Sequence, residues 1–208
     1  QQPVWEVIEL PGARNCPAEI TLSAEILDVS IISATAYSPD GNCLAIGSKE
    51  AIRIFNIELD TFILQCTNVE YEGKANHVRA ITWTKDSKYV ICGYEDYKIR
   101  IFELPSDFHK LEEGDSKPVK EFDSGDGEVF QLQCSSDGKF FASATGGGAL
   151  TIWNTETWEK LWSLSRKSDK PHATSLTISS DDKYIAVGYN DNYVAIFDTK
   201  QRKITCEA

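Results

Sequence analysis

Four degenerate copies of one unit run along the chain, and this repetition constrains the fold more than any single residue does. Aligned on a Ser/Thr-x-Asp turn, the copies read Ser38-Pro39-Asp40-Gly41, Thr84-Lys85-Asp86-Ser87, Ser135-Ser136-Asp137-Gly138 and Ser179-Ser180-Asp181-Asp182. Each turn is followed by an Ile-aromatic pair and a polar residue: Ile54-Phe55-Asn56, Ile101-Phe102-Glu103, Ile152-Trp153-Asn154 and Ile196-Phe197-Asp198. The turns recur at steps of 46, 51 and 44 residues, and the pairs at 47, 51 and 44. Two landmarks that keep one period in the forties imply stacked supersecondary units, none of which can bury its faces alone.

Each unit reads as four short strands. In the fourth, strands are expected over Thr174 to Ile178, Tyr184 to Val187, Tyr193 to Phe197 and Arg202 to Cys206. They are rich in Ile, Val, Tyr, Phe and Thr and are bounded by Gly, Asp, Asn and Ser, as strands require. No stretch keeps a helical period, and a helical turn is conceivable only near Asp107 to Glu113. The expected organisation is all-β: a leader over 1–29 and four repeats over about 30–68, 77–123, 127–165 and 172–208.

From Ser30 onward the chain resembles the WD-repeat β-propeller family in period and strand pattern. The resemblance implies one four-stranded blade per repeat, packed radially around a channel. The Trp-Asp dipeptide that gives the family its name is absent, and Trp153-Asn154 comes nearest. The family's buried His–Ser–Asp–Trp network is carried over only in part. The second repeat offers His77 and Asp96, with Cys92 and Phe102 at the Ser and Trp positions. The fourth offers His172 and Asp191, with Val187 and Phe197. The third has Ser143 and Trp153 but Glu128 at the His position, and the first has none of the polar members. The resemblance therefore implies two shortened structural pairs, His77–Asp96 and His172–Asp191.

The same resemblance places Arg79, Tyr94, Glu95, Tyr189 and Asn190 on one rim of the channel as candidate protein-binding residues. Tyr and Arg suit interface hot spots, although both tyrosines follow a strand glycine and could equally pack between blades. Trp158 and Trp162 flank the outer strand of the third repeat. Simple alternation puts both, with Lys160, on the face opposite Leu161, either between blades or as an exposed aromatic patch.

The net charge of −11 disfavours a phosphate backbone as ligand. It admits a basic protein partner and equally reads as an acidic, solvated surface. The run Glu112-Glu113-Gly114-Asp115 has no evident structural duty. Six cysteines (Cys16, Cys43, Cys66, Cys92, Cys134 and Cys206) form no C-x-x-C, and five fall on expected strands. With no Asn-x-Ser/Thr acceptor, they point to a reducing compartment, cytosol or nucleus. No cofactor or metal site is expected. Gly146-Gly147-Gly148 lacks the Lys-Ser/Thr and helix of a phosphate loop, no dense Asp-x-Asp calcium loop occurs, and His109 belongs to no nucleophile motif.

No apolar run is long enough to span a membrane, and no signal peptide opens the chain. Met is absent everywhere, including position 1, which suggests processing or a segment of something longer. Four repeats fall short of the usual blade number of a WD-type ring. The remainder of a precursor, a partner supplying blades, or a second copy could complete it. The leading expectation is a non-catalytic scaffold that presents a loop-lined rim to protein or peptide partners in a multi-subunit complex. A propeller hydrolase using channel carboxylates is the alternative, and a purely architectural subunit a third reading.

Overall fold

The computed structural model describes residues 26, 30–68, 72–73, 76–105, 116–165 and 172–207. The expected leader strands, Cys16, His109, the acidic run at 112–115 and the helical turn near 107–113 lie outside these residues, apart from Ile26. Among the described residues the chain is all β, with sixteen strands in four antiparallel sheets, each ordered as in the sequence. The first sheet holds β1 (Ile32–Tyr37), β2 (Cys43–Ser48), β3 (Ala51–Asn56) and β4 (Thr61–Thr67). The second holds β5 (Val78–Trp83), β6 (Tyr89–Tyr94), β7 (Lys98–Glu103) and β8 (Lys120–Asp123). The third holds β9 (Val129–Cys134), β10 (Phe140–Thr145), β11 (Ala149–Asn154) and β12 (Lys160–Ser165). The fourth holds β13 (Ala173–Ile178), β14 (Tyr184–Tyr189), β15 (Val194–Asp198) and β16 (Lys203–Glu207). These are four blades of the WD-propeller type.

The Ser/Thr-x-Asp turns join the first two strands of each blade by one device. The hydroxyl donates to the Asp carboxylate and accepts the N–H that opens the next strand. For Ser38 these bonds run to Asp40 and from Cys43, at 2.6 and 2.9 Å. Thr84, Ser135 and Ser179 repeat them. The residue after each Asp takes positive φ: Gly41 at 77°, Ser87 at 60°, Gly138 at 78° and Asp182 at 58°. Gly pays nothing for this conformation, whereas Ser and Asp need a compensating contact. Both have one with the preceding blade. Ser87 Oγ accepts the Asp40 N–H at 3.2 Å, and the Asp182 carboxylate accepts the N–H groups of Ser136 and Asp137 at 2.8 and 2.9 Å.

Bulges recur at two places. Between the first two strands, the extra residues are Ser33, Arg79, Phe130 and Thr174. Between the third and fourth strands, the register shifts at Phe55, Trp153 and Phe197, the aromatic members of the Ile-aromatic pairs. The second kind corrects the alternation expected for the third blade's tryptophans. Trp153 pairs with Lys160 and Ile152 with Trp162, so Leu161 absorbs the slip. Trp158 then joins the core between the second and third blades, edge-on to Tyr89 at 5.5 Å. Trp162 packs in the core between the third and fourth.

Three apolar cores fill the three junctions. Each is keyed by a first-strand residue from the later blade pressing on a small second-strand residue of the earlier one. A methyl placed on Gly47 would stand 2.6 Å from Val78 Cγ1, and one on Gly93 would stand 2.6 Å from Val129 Cβ. At the third junction Ala173 and Ala144 hold the same repeat positions and share one core.

Candidate protein-interaction rim

One rim gathers the starts of the first strands and the bends between the second and third. In the second blade the chain is clamped there by Glu95. Its N–H donates to the His77 carbonyl at 3.2 Å, and its carboxylate accepts the His77 N–H at 3.4 Å. The fourth blade repeats the clamp with Asn190, whose N–H donates to the His172 carbonyl at 3.1 Å and whose Oδ1 accepts the His172 N–H at 3.0 Å. In the third blade the backbone half alone persists, from Gly146 N–H to Glu128 carbonyl at 2.8 Å. Asp126 takes over side-chain duty with a hydrogen bond from Thr145.

In the second blade the expected His77–Asp96 pair gives way to another arrangement. Asp96 gives its carboxylate to Arg100 in a two-point ion pair at 2.6 and 3.1 Å, leaving His77 to the Glu95 clamp. In the fourth blade His172 and Asp191 are both exposed. The bend grips His172 through Asn190, and the imidazole stands edge-on to Phe130 with ring centres 6.5 Å apart.

The candidate binding residues divide in two. Arg79, Glu95 and Asn190 stand on the rim surface. Arg79 is the extra residue of its bulge, exposed, and ion-paired to Glu95. Tyr94 and Tyr189 do not reach the surface, being 1% and 6% exposed. Strand alternation explains why: Val90, Cys92 and Tyr94 share the face turned to the first blade, as Ile185, Val187 and Tyr189 share the face turned to the third. Tyr97, 44% exposed at φ 66°, occupies the rim place expected of Tyr94.

Beneath this rim lies a charged cluster that motif reasoning missed. Arg100 is 9% exposed, lies 4.3 Å over the Tyr94 ring, and donates to Asp96 and, at 2.7 Å, to Glu121. Lys98 completes the set at 2.5 Å from Glu121. Burial opposes the charge on Arg100, but the hydrogen bonds and charge of Asp96 outweigh it and raise its pKa. Burial likewise works against the Glu121 carboxylate, and Lys98 and Arg100 overcome it and lower its pKa. The available signal was the alternation of Lys98 and Arg100 with Ile99 and Ile101, which puts two cations on one half-buried strand face.

A cleft of about 490 Å³ opens at the opposite end, between the second and third blades, lined by Lys85, Asp86, Tyr89, Asp137, Thr155 and Trp158 among others. Its two aspartates are turn residues, both displaced below the ordinary carboxylate range. Asp86 is lowered against the pull of burial by Thr84 and the Lys88 N–H, and Asp137 chiefly by the Lys139 N–H. Among the described residues every displaced carboxyl moves down. A glycosidase-type pair needs one carboxyl held up as the acid. Burial pushes the Cys134 thiol up to about 11 and Cys92 higher still, so neither is a ready nucleophile. Among the described residues no cluster of His, Cys, Asp and Glu could hold a metal ion, and no helix is long and apolar enough to cross a membrane.

Comparison with known proteins agrees with the architecture. The family model described as WD domain, G-beta repeat, matches residues 65–103 and 116–154. The model described as anaphase-promoting complex subunit 4 WD40 domain matches residues 156–208. SEC12-like protein 1 of Arabidopsis thaliana is 28% identical over 179 residues, which cover 81% of this chain and 40% of that protein. The chain thus spans about 40% of the length of this curated relative.

Proposed function

Because the chain belongs to the WD-repeat family, we propose that it acts as a non-catalytic scaffold whose second-blade rim docks a protein or peptide partner within a multi-subunit complex. The observation that carries this reading is the bulged, exposed Arg79, ion-paired to Glu95, with Tyr97 exposed two residues further along the same bend. Arg and Tyr are the residue types enriched among interface anchors. The net charge of −11 favours a partner with a basic surface. One matching family model describes a domain of a complex subunit, and this supports the assembly role. The reducing compartment inferred from the cysteines, cytosol or nucleus, belongs to the same reading.

The test is photo-crosslinking from position 97 in the full chain, followed by titration of the captured partner. Arg79→Glu and Tyr97→Ala each weaken binding by about tenfold or more, as expected for anchors worth upward of ~1.4 kcal/mol. Lys200→Ala, at the opposite rim, leaves it unchanged. Equal affinity of all three variants contradicts the rim assignment.

A further inference from the structure

At two of the three junctions, the residue after the turn Asp of the later blade caps main-chain N–H groups on the turn of the earlier one. Ser87 Oγ accepts the Asp40 N–H at 3.2 Å, and the Asp182 carboxylate accepts the N–H groups of Ser136 and Asp137 at 2.8 and 2.9 Å. The second case is a complete carboxylate site. Two successive N–H groups of a tight turn converge on the two oxygens of one side chain. Such bonds to an ionised acceptor are stronger than neutral ones.

At the junction between the second and third blades the capping position is Gly138, which has no side chain to offer. The two turns stand close there, and a methyl placed on Gly138 would lie 2.8 Å from Lys85 Cβ. The N–H groups equivalent to those of Ser136 and Asp137 belong to Lys85 and Asp86. Among the described residues the Lys85 N–H meets only the Cys134 sulfur, a weak acceptor, and the Asp86 N–H only its own carboxylate. Lys85 and Asp86 both line the cleft of about 490 Å³ at this junction. The exposed Lys85 amine brings positive charge to it, and Tyr89 and Trp158 supply an aromatic wall.

Three carboxylates also line the cleft, those of Asp86, Asp137 and Glu156. Asp86 and Asp137 direct their charge into their own turns. They accept the Thr84 and Ser135 hydroxyls and the Lys88 and Lys139 N–H groups, and the amines of the same lysines stand 3.9 and 3.2 Å away. Acidic neighbours of this kind do not exclude a further carboxylate. Asp182 sits on the turn that carries Asp137, with Asp181 next to it in the chain.

We propose that the cleft between the second and third blades binds an aspartate side chain of a partner peptide, its carboxylate on the Lys85 and Asp86 N–H groups as the Asp182 carboxylate lies on those of Ser136 and Asp137. The Lys85 amine adds charge, and the residues flanking the aspartate lie against Tyr89 and Trp158. The site is at the opposite end of the blades from Arg79 and Tyr97 and stands independently of the rim reading.

Titration of the isotope-labelled full chain with N-acetyl-aspartate α-amide, followed by backbone amide chemical shifts, tests it. The Lys85 and Asp86 amides shift together and saturably, and the uncharged N-acetyl-asparagine amide leaves them in place. N-acetylglycine, which offers a chain-terminal carboxylate instead, binds more weakly than the aspartate probe. Lys85→Pro deletes one N–H and the amine, and weakens binding, read at the Asp86 amide, by about tenfold. The turn accepts proline, because Pro39 holds the same position in the first blade. Lys85→Ala removes the amine alone and weakens binding less. The absence of a saturable shift at Lys85 and Asp86, equal binding of the asparagine probe, or equal affinity of the Pro and Ala variants overturns the proposal. Tighter binding of N-acetylglycine overturns the assignment to a side chain.

Discussion

Asp181 shows in one residue how the turns resist acid. Its carboxylate accepts a hydrogen bond from Lys183 Nζ, the Ser179 hydroxyl and the Lys183 N–H, which together hold its pKa at about 2. An unfolded Asp titrates at about 3.9. The folded value is the lower one, so the stabilisation is complete above about pH 4 and vanishes as pH falls through about 2. Asp40 is lowered in the same sense, by Ser38 first. The urea midpoint therefore falls between pH 4 and pH 2, and Asp181→Asn flattens part of that fall. Arg100 is the opposite case, a buried charge. Arg100→Met abandons the Asp96 carboxylate, 8% exposed, and costs about 3–5 kcal/mol by urea unfolding. Arg100→Lys keeps the charge but not the two-point geometry and costs less. Loss of the Lys98 amine, on the half-exposed side of Glu121, costs no more than about 1 kcal/mol. The turns were legible from sequence because Ser/Thr-x-Asp satisfies its own backbone locally. The partner of Asp96 was not, because Arg100 won the carboxylate by charge and reach while His77 was held through its main chain.

At the scale of strands, the third blade preserves a polar contact that its neighbours have replaced. Trp153 Nε1 donates to Ser143 Oγ at 2.9 Å in the buried junction. The equivalent pairs are Cys92 with Phe102 and Val187 with Phe197, both without a hydrogen bond to lose. Ser143→Ala alone leaves a buried indole N–H unsatisfied and costs about 1–3 kcal/mol. Trp153→Phe with Ser143→Cys recreates the second blade's solution, and the pair costs less than the two single changes together, as a double-mutant cycle reads directly. The Gly93 socket gives a second test. Gly93→Ala forces a methyl against Val129 and costs about 1–3 kcal/mol, and Val129→Ala recovers part of it. Strand identity followed from composition and period, since each blade repeats the same alternation. What alternation could not supply was the bulges. One extra residue at Leu161 sends Trp158 and Trp162 to different junctions, and another at Arg79 turns that side chain outward. Tyr94 was readable in principle, because it continues the buried series from Val90 and Cys92.

As a whole, the four described blades form a one-directional stack: each blade after the first keys into the one before it. Stability in such a series is a sum of blade and junction terms. The second and third blades, filled on both faces, form the stable middle, with Ile91, Ile99, Ile101, Phe141 and Leu150 fully buried. Among the described residues the fourth packs against the third alone. Period and blade count showed the stack in the sequence. Its direction was hidden, because it depends on which small residue faces which key across a junction.

Residue-resolved native-state hydrogen exchange at low and high protein concentration tests that account most directly. The account predicts that amides of β6, β7, β10 and β11 exchange through global unfolding at both concentrations. Those of β15 and β16, whose blade packs against the third alone among the described residues, exchange sooner. Uniform protection across all four blades at every concentration would contradict it.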